Sequence, residues 1–197
     1  MEDQRGMVST DEAYLETYQQ IYHLFCRKAQ VLYDDPSILD KPKVFTQEVG
    51  IDLAGINEEI RRAERTFWVT IEQCKQVGQE FSIEKISEQH HLDLFQKRVM
   101  LLLIFLKLNQ TRGQGYRPEQ IVQMLDIRNS VLERFRHLSY FEDASSAFIK
   151  EILLDASGHF SNGRDIKYQI NPGIMQKVSS FVSVESKDLI KTEKASG

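Results

Sequence analysis

The chain has 197 residues, 41% of them hydrophobic and 27% charged, with a net charge of −4, the composition of an ordinary soluble globular protein of one or two domains. Residues 1–90 hold 10 Lys and Arg against 17 Asp and Glu, and residues 91–197 hold 15 against 12, so neither half has the basic excess of a protein held on DNA mainly by phosphate contacts. Cys26 and Cys74 have no close partner in sequence, which argues against a disulfide framework and makes a reducing cytoplasm the expected compartment.

The first eight residues read as a loose, polar end without the apolar core of a secretory signal. Ser9 followed by Glu12 makes a capping box, opening a helix that runs to about residue 33, where Asp34, Asp35 and Pro36 stop it. Its apolar positions, Leu15, Tyr18, Tyr22, Phe25, Ala29 and Leu32, alternate three and four residues apart and so form a seam. Residues 52–77 carry a matching seam of Ile56, Ile60, Ala63, Phe67, Ile71 and Cys74, with Glu58, Glu59, Arg61, Arg62, Glu64 and Arg65 expected on the outer face. Residues 1–85 are therefore expected to form an antiparallel helical hairpin. The alternative is a coiled-coil dimer seam, but Tyr18, Tyr22 and Phe25 favour a core within one chain, because such dimers prefer aliphatic residues.

A second unit is expected over residues 86–182. Its first helix, at 92–109, contains VMLLLIFL; these eight apolar residues fall far short of the roughly 20 that span a membrane, so they read as a buried core helix with no membrane partner. The breaker-rich TRGQGYRP follows, and Pro118 suits the first turn of a second helix, PEQIVQMLDI. A third helix, at 128–141, aligns Val131, Leu132, Phe135 and Leu138 on one face, and DASSAFIKEILL adds a short helical piece. In IKYQINPG, Ile166, Tyr168 and Ile170 alternate with polar residues as in a strand, and EILLDAS can pair with it. Asn171, Pro172 and Gly173 turn the chain into a last helix, IMQKVSSFV, and residues 183–197 read as a linker or flexible tail. The expected fold is mainly α with a small β-hairpin: a helical hairpin followed by a winged-helix-like domain, with GHFSNGRD (158–165) at the tip of the wing.

That tip spaces two glycines as G-x-x-x-x-G-K-[ST] does, but Arg164 and Asp165 stand in place of the lysine and hydroxyl residue. A phosphate loop must also open a helix, whereas a strand follows here. The stretch therefore reads as a hairpin turn, whose Gly and Asn tolerate positive φ, and no cofactor is expected. His90 and His91 with Asp93 come nearest to a metal cluster, yet adjacent helical residues point about 100° apart. The group reads as a capped helix start, and His23, His137 and His159 are scattered singly; no metal is expected. Neither a G-x-S-x-G elbow nor a cysteine in a reactive setting is present. No catalytic residue is assigned, and the chain is not expected to be an enzyme.

A helix-turn-helix would place the third helix in a DNA groove with phosphate contacts from its flanks and wing. Arg128, Asn129, Arg134 and Arg136 on or beside that helix, with Arg164 and Lys167 on the wing, are the candidate contacts to DNA or to a protein partner. Glu133, Glu142, Asp143 and Asp165 dilute the field, and winged helices also serve as protein-docking modules. A free-standing DNA-binding regulator, with the N-terminal helices as its dimerisation element, is the alternative to a protein-interaction module.

LDLFQKRVMLLLIFLKLNQ resembles the helix of the form L-S-P-F-E-R-x-x-L-L-L-L-A that precedes the ATPase module in a group of prokaryotic AAA+ ATPases. MLDIRNSVLERFRHLSYFEDASSAFIKEILLDASG is similar to the segment leading those proteins into the wing through D-S-x-L-V-x-x-G-L-L. Asp143, Ala144, Ser145, Phe148, Ile149 and Ile152 take that pattern, while Glu151 replaces the usual glycine. INPGIMQKV looks like the closing L-x-P-x-L-L-x-x-L. Over about residues 90–180 the resemblance rests on apolar patterning. It implies an accessory N-terminal region that positions partners or substrates, or helps order a ring, beside an ATPase module placed after residue 197. Walker A, Walker B and an arginine finger have no counterpart within the 197 residues.

Overall fold

A computed structural model describes residues 10–36, 39–44, 46–109, 115–128, 130–157 and 166–179. Helix α1 (Asp11–Leu32) is capped by Thr10, whose Oγ1 accepts from the Ala13 N–H at 3.1 Å; the cap thus lies one residue beyond the expected Ser9, which falls outside the described residues. Helix α2 (Gln47–Gln76) starts at the Thr46 cap, five residues before the expected start. The two run antiparallel, with Tyr14 edge-on to Phe67 and Arg27 paired with Glu59. The seams meet each other: Tyr18, Tyr22 and Phe25 face Ile56, Ile60, Phe67 and Ile71 inside one chain, all buried.

The α1–α2 connection contains a short hairpin that the sequence pattern did not announce, β1 (Tyr33–Asp35) against β2 (Asp40–Pro42). Leu39 within it is buried and held at φ 52°, a left-handed conformation that disfavours residues other than Gly, Asn and Asp. Helix α3 (Ser82–Gln89) is also additional to the expected elements. Its first N–H group is satisfied from far away: Asp11 accepts from the Ser82 N–H at 2.7 Å and from its hydroxyl at 2.5 Å. The position at which the sequence divides the chain, residues 85 and 86, falls inside α3.

Helix α4 (Leu94–Asn109) starts at Asp93, which accepts from the Gln96 N–H while Gln96 Oε1 accepts from the Asp93 N–H. His90 and His91 are thus the approach to a capped helix start. Phe105 of α4 stacks on Tyr18 and Tyr22 of α1 at ring-centroid distances of 5.9 and 5.2 Å. One hydrophobic core thus runs from Tyr14 to Val178 across both halves of the chain. No helix of the described residues is long and apolar enough to cross a membrane.

Helix α5 (Pro118–Leu125) carries Pro118 in its first turn, and α6 (Val131–Ser139) starts at the Ser130 cap. A single π-helical turn (Phe148–Ile152) leads into β3 (Leu153–Asp155), which pairs antiparallel with β4 (Tyr168–Ile170), Leu153 opposite Ile170. Tyr116 adds a one-residue bridge to Tyr168 on the other side. Here the chains run close: a Cβ on Gly115 would lie 2.7 Å from the Ala156 Cβ and 3.2 Å from the Lys167 carbonyl carbon, so only glycine fits. A last helix spans 172–179, its start capped by Asn171 Oδ1 on the Gly173 N–H. The fold is mainly α with a small antiparallel hairpin, as the pattern of apolar residues predicts.

Candidate interaction surface

The position of α6 is set by the turn that precedes it. A helix leaves its last four carbonyls without intrahelical donors, and that end is partially negative. At the end of α5 and just past it, the four carbonyls from Met124 to Ile127 receive cations from three other helices. Lys28 of α1 donates to Met124 O at 3.0 Å and Asp126 O at 2.5 Å. Arg98 of α4 donates to Leu125 O at 2.9 Å, and Arg61 of α2 to Ile127 O at 3.2 Å. The Asp126 carboxylate closes the turn, accepting from the Arg128 N–H at 3.1 Å and from Arg134 Nε at 2.5 Å. Further along α5, Tyr33 donates to Gln123 Oε1 and Gln120 donates to Leu39 O. The helical hairpin therefore grips α5 along its length.

Two of these cations lie inside the protein. Arg98 and Glu64, 8% and 6% exposed, pair at 2.7 Å. This corrects the expectation that Glu64 covers the outer face of α2. Lys28 is 2% exposed. Burial pushes its pKa down to about 7; Arg98 and Arg134 push the same way, and Asp126 and Glu64 oppose.

The face of α6 that meets the rest of the molecule carries Arg134, His137 and Leu138, all half-buried. The His137 ring stacks on Phe95 at 3.8 Å with an interplanar angle of 2°, and burial lowers its pKa, with Arg98 adding to the effect. Tyr140, just past the helix, donates a hydrogen bond to the Asp93 carboxylate. The opposite face carries Val131, Leu132 and Phe135, which are 63%, 81% and 67% exposed. The apolar face expected from the sequence exists, but only its Leu138 edge packs inward; the rest is turned to solvent.

The six candidate contact residues separate accordingly. Arg136 is exposed on α6, and Arg128 is exposed with its guanidinium on Glu133 at 2.7 Å. Arg134, expected to reach outward, is instead spent on Asp126. Lys167 is half-buried in the β-hairpin, its backbone N–H on Ser157 Oγ and its carbonyl on the Ala156 N–H. Asn129 and Arg164 lie outside the described residues, as does the whole of 158–165. The residues that sequence reasoning missed are Lys28, Glu64, Arg98 and Asp126, the group that holds the turn. A signal for two of them existed: Lys28 lies three residues from Phe25 and four from Leu32, and Glu64 lies four from Ile60 and three from Phe67. Both are charges standing on an apolar seam.

Cys74 is buried, and burial raises the pKa of the half-buried Cys26 thiol, which disfavours the reactive thiolate. Comparison with protein-family models, curated proteins and solved structures gives no match.

Proposed function

We propose that this chain is a non-catalytic protein-interaction module, a winged-helix arrangement carried on a helical hairpin, that displays α6 to a protein partner. The observation that carries this reading is the outward apolar face of Val131, Leu132 and Phe135. In a winged helix, α5 and α6 form the helix-turn-helix and α6 is the helix offered to the major groove. Groove contacts call for polar and cationic side chains on base edges and phosphates. Protein interfaces instead centre on aromatic and apolar anchors with a charged rim. Phe135 and Leu132 supply the anchors, and Arg128 and Arg136 supply the rim.

The resemblance of residues 90–180 to the accessory region of prokaryotic AAA+ ATPases fits this role. On that reading the module acts in the cytoplasm and positions a substrate or adaptor protein for an ATPase module in cis, and oligomers form through that ATPase. The coding sequence is then expected to continue past Gly197 into a strand–GxxxxGK[ST]–helix segment, and a stop codon directly after Gly197 would remove the ATPase part of the proposal.

The second reading, a DNA-binding regulator, is favoured by the exposure of Arg128 in the turn before α6 and of Arg136 in its last turn. Two measurements separate the readings. A photo-cross-linker placed at Leu132 in cells should give a discrete protein adduct that Phe135→Glu abolishes; adducts to nucleic acid alone would reverse the reading. Fluorescence anisotropy should show no duplex binding at low salt, whereas a DNA binder would bind with an affinity falling steeply as salt rises and weakened by Arg136→Ala.

A further inference from the structure

A cleft of about 440 Å³ opens between α1, the first half of α2 and the α5–α6 turn, a volume within the roughly 300–1,000 Å³ typical of small-molecule sites. Leu32, Leu53, Ala54 and Ile127 give it an apolar wall. Its charged lining is lopsided: Lys28, Arg61, Arg128 and Arg134 against the single carboxylate of Asp126. Both oxygens of that carboxylate are already taken, by the Arg128 N–H and by Arg134. Arg61 and Arg128 hold Glu58 and Glu133 in half-exposed pairs, and such surface pairs contribute little.

Two buried polar groups in the lining point to a ligand. Lys28 gives two of its ammonium hydrogens to Met124 O and Asp126 O, and among the described residues the third has no acceptor. Asn57 Oδ1 in the same lining is buried without a hydrogen-bond partner. Buried polar atoms are almost always satisfied, by protein or by ordered water, and a ligand entering the cleft can take the place of that water. An anion answers the first, and a hydroxyl or amine beside it answers the second.

We propose that this cleft binds a small organic anion, a carboxylate- or phosphate-bearing molecule with a hydrogen-bond donor next to the anionic group, and that its occupation stiffens the α5–α6 turn from which α6 is displayed. The ligand meets the third Lys28 hydrogen, so binding requires the ammonium form. The charged groups acting on Lys28 are Asp126 and Arg134 at the turn and α6, Arg98 on α4 and Glu64 on α2. Since burial holds the Lys28 pKa near 7, affinity should fall as pH rises through that value.

Calorimetry and amide NMR on the full chain test this, with citrate as the carboxylate probe and inorganic pyrophosphate as the phosphate probe. At about pH 6 at least one should bind at a single site with a Kd of about 1 mM or tighter, moving the amides of Asp126, Ile127 and Arg128. Raising the pH to about 8.5 should weaken it roughly tenfold or more, as the Lys28 proton is lost. Ala54→Trp, at an exposed position on the cleft wall, should abolish binding; Arg128→Ala, also exposed, should weaken it about fivefold and keeps the test open if Ala54→Trp does not fold. The proposal is overturned if neither probe saturates by about 10 mM, if the affinity ignores pH, or if the folded variants bind as well as the parent chain.

Discussion

Helix α4 buries ten of its sixteen residues, Arg98 among them, whereas α6 buries none and leaves Val131, Leu132 and Phe135 largely in solvent. Both helices carry apolar residues, yet α4 lies in the core and α6 sets only one of its apolar residues against it, the half-buried Leu138, so the presence of apolar residues alone does not say which helix will be inside. The difference lies in what fixes each helix. Aromatic rings on one side and a buried ion pair on the other seat α4. Helix α6 is fixed through its ends, by the Asp126 turn and by His137 on Phe95. A helix held in this way keeps its place without burying its apolar residues.

Breaking the α4 side of this comparison should have the largest effect. Glu64→Ala leaves the Arg98 guanidinium buried without its carboxylate, and removing one member of a buried pair costs about 3–5 kcal/mol. Urea denaturation followed by far-UV circular dichroism should show that loss. Glu64→Leu combined with Arg98→Met should recover much of it, and a double variant as unstable as the single would show that the pair is not the cause.

Lys28 gives the next effect, and its sign can be worked out. The unfolded chain holds the Lys28 proton up to the ordinary value of 10.5, the folded chain only up to about 7. Between these limits the unfolded state binds more protons, so unfolding free energy rises with pH, at most by about 1.4 kcal/mol per unit for one group. Below 7 both states are protonated and the cost of burying the charge is present in full. Lys28→Met should flatten the slope between about pH 7 and 9.5; parallel profiles for the two proteins would refute the assignment.

The seams were legible because Tyr18, Phe25, Ile60 and Phe67 repeat at helical spacing, and so were Pro118 at the start of α5 and the alternation of Tyr168 and Ile170. What was hidden depends on contacts distant in sequence. The start of α3 is satisfied by Asp11, 71 residues earlier. Hairpin β1–β2 places Leu39 and Lys41 at φ 52° and 53°, a conformation their residue types do not advertise. Lys28 and Glu64 sat on their seams in plain view, but a charge is read as a surface residue until its partner is known, and those partners, at positions 124–126 and 98, lie elsewhere in the chain. For α6 the sequence names the apolar face without saying where it points.

A smaller effect is expected at Gly115, where an alanine Cβ would meet Ala156 and the Lys167 backbone. Backbone on one side cannot yield as a side-chain tip can, so Gly115→Ala should cost about 1–3 kcal/mol. The smallest effect on stability should come from α6 itself, and it is the most informative. Leu132→Glu with Phe135→Glu changes two residues that the core does not use, so the stability in urea should stay within about 0.5 kcal/mol of the parent, while the adduct that a photo-cross-linker moved to Val131 gives in the parent chain should disappear. A large loss of stability would mean that the outer face of α6 packs against this chain after all, making α6 a core helix like α4. Unchanged stability with an unchanged adduct would instead move the docking surface elsewhere. Only preserved folding with lost contact keeps the two helices as different in purpose as they are in burial.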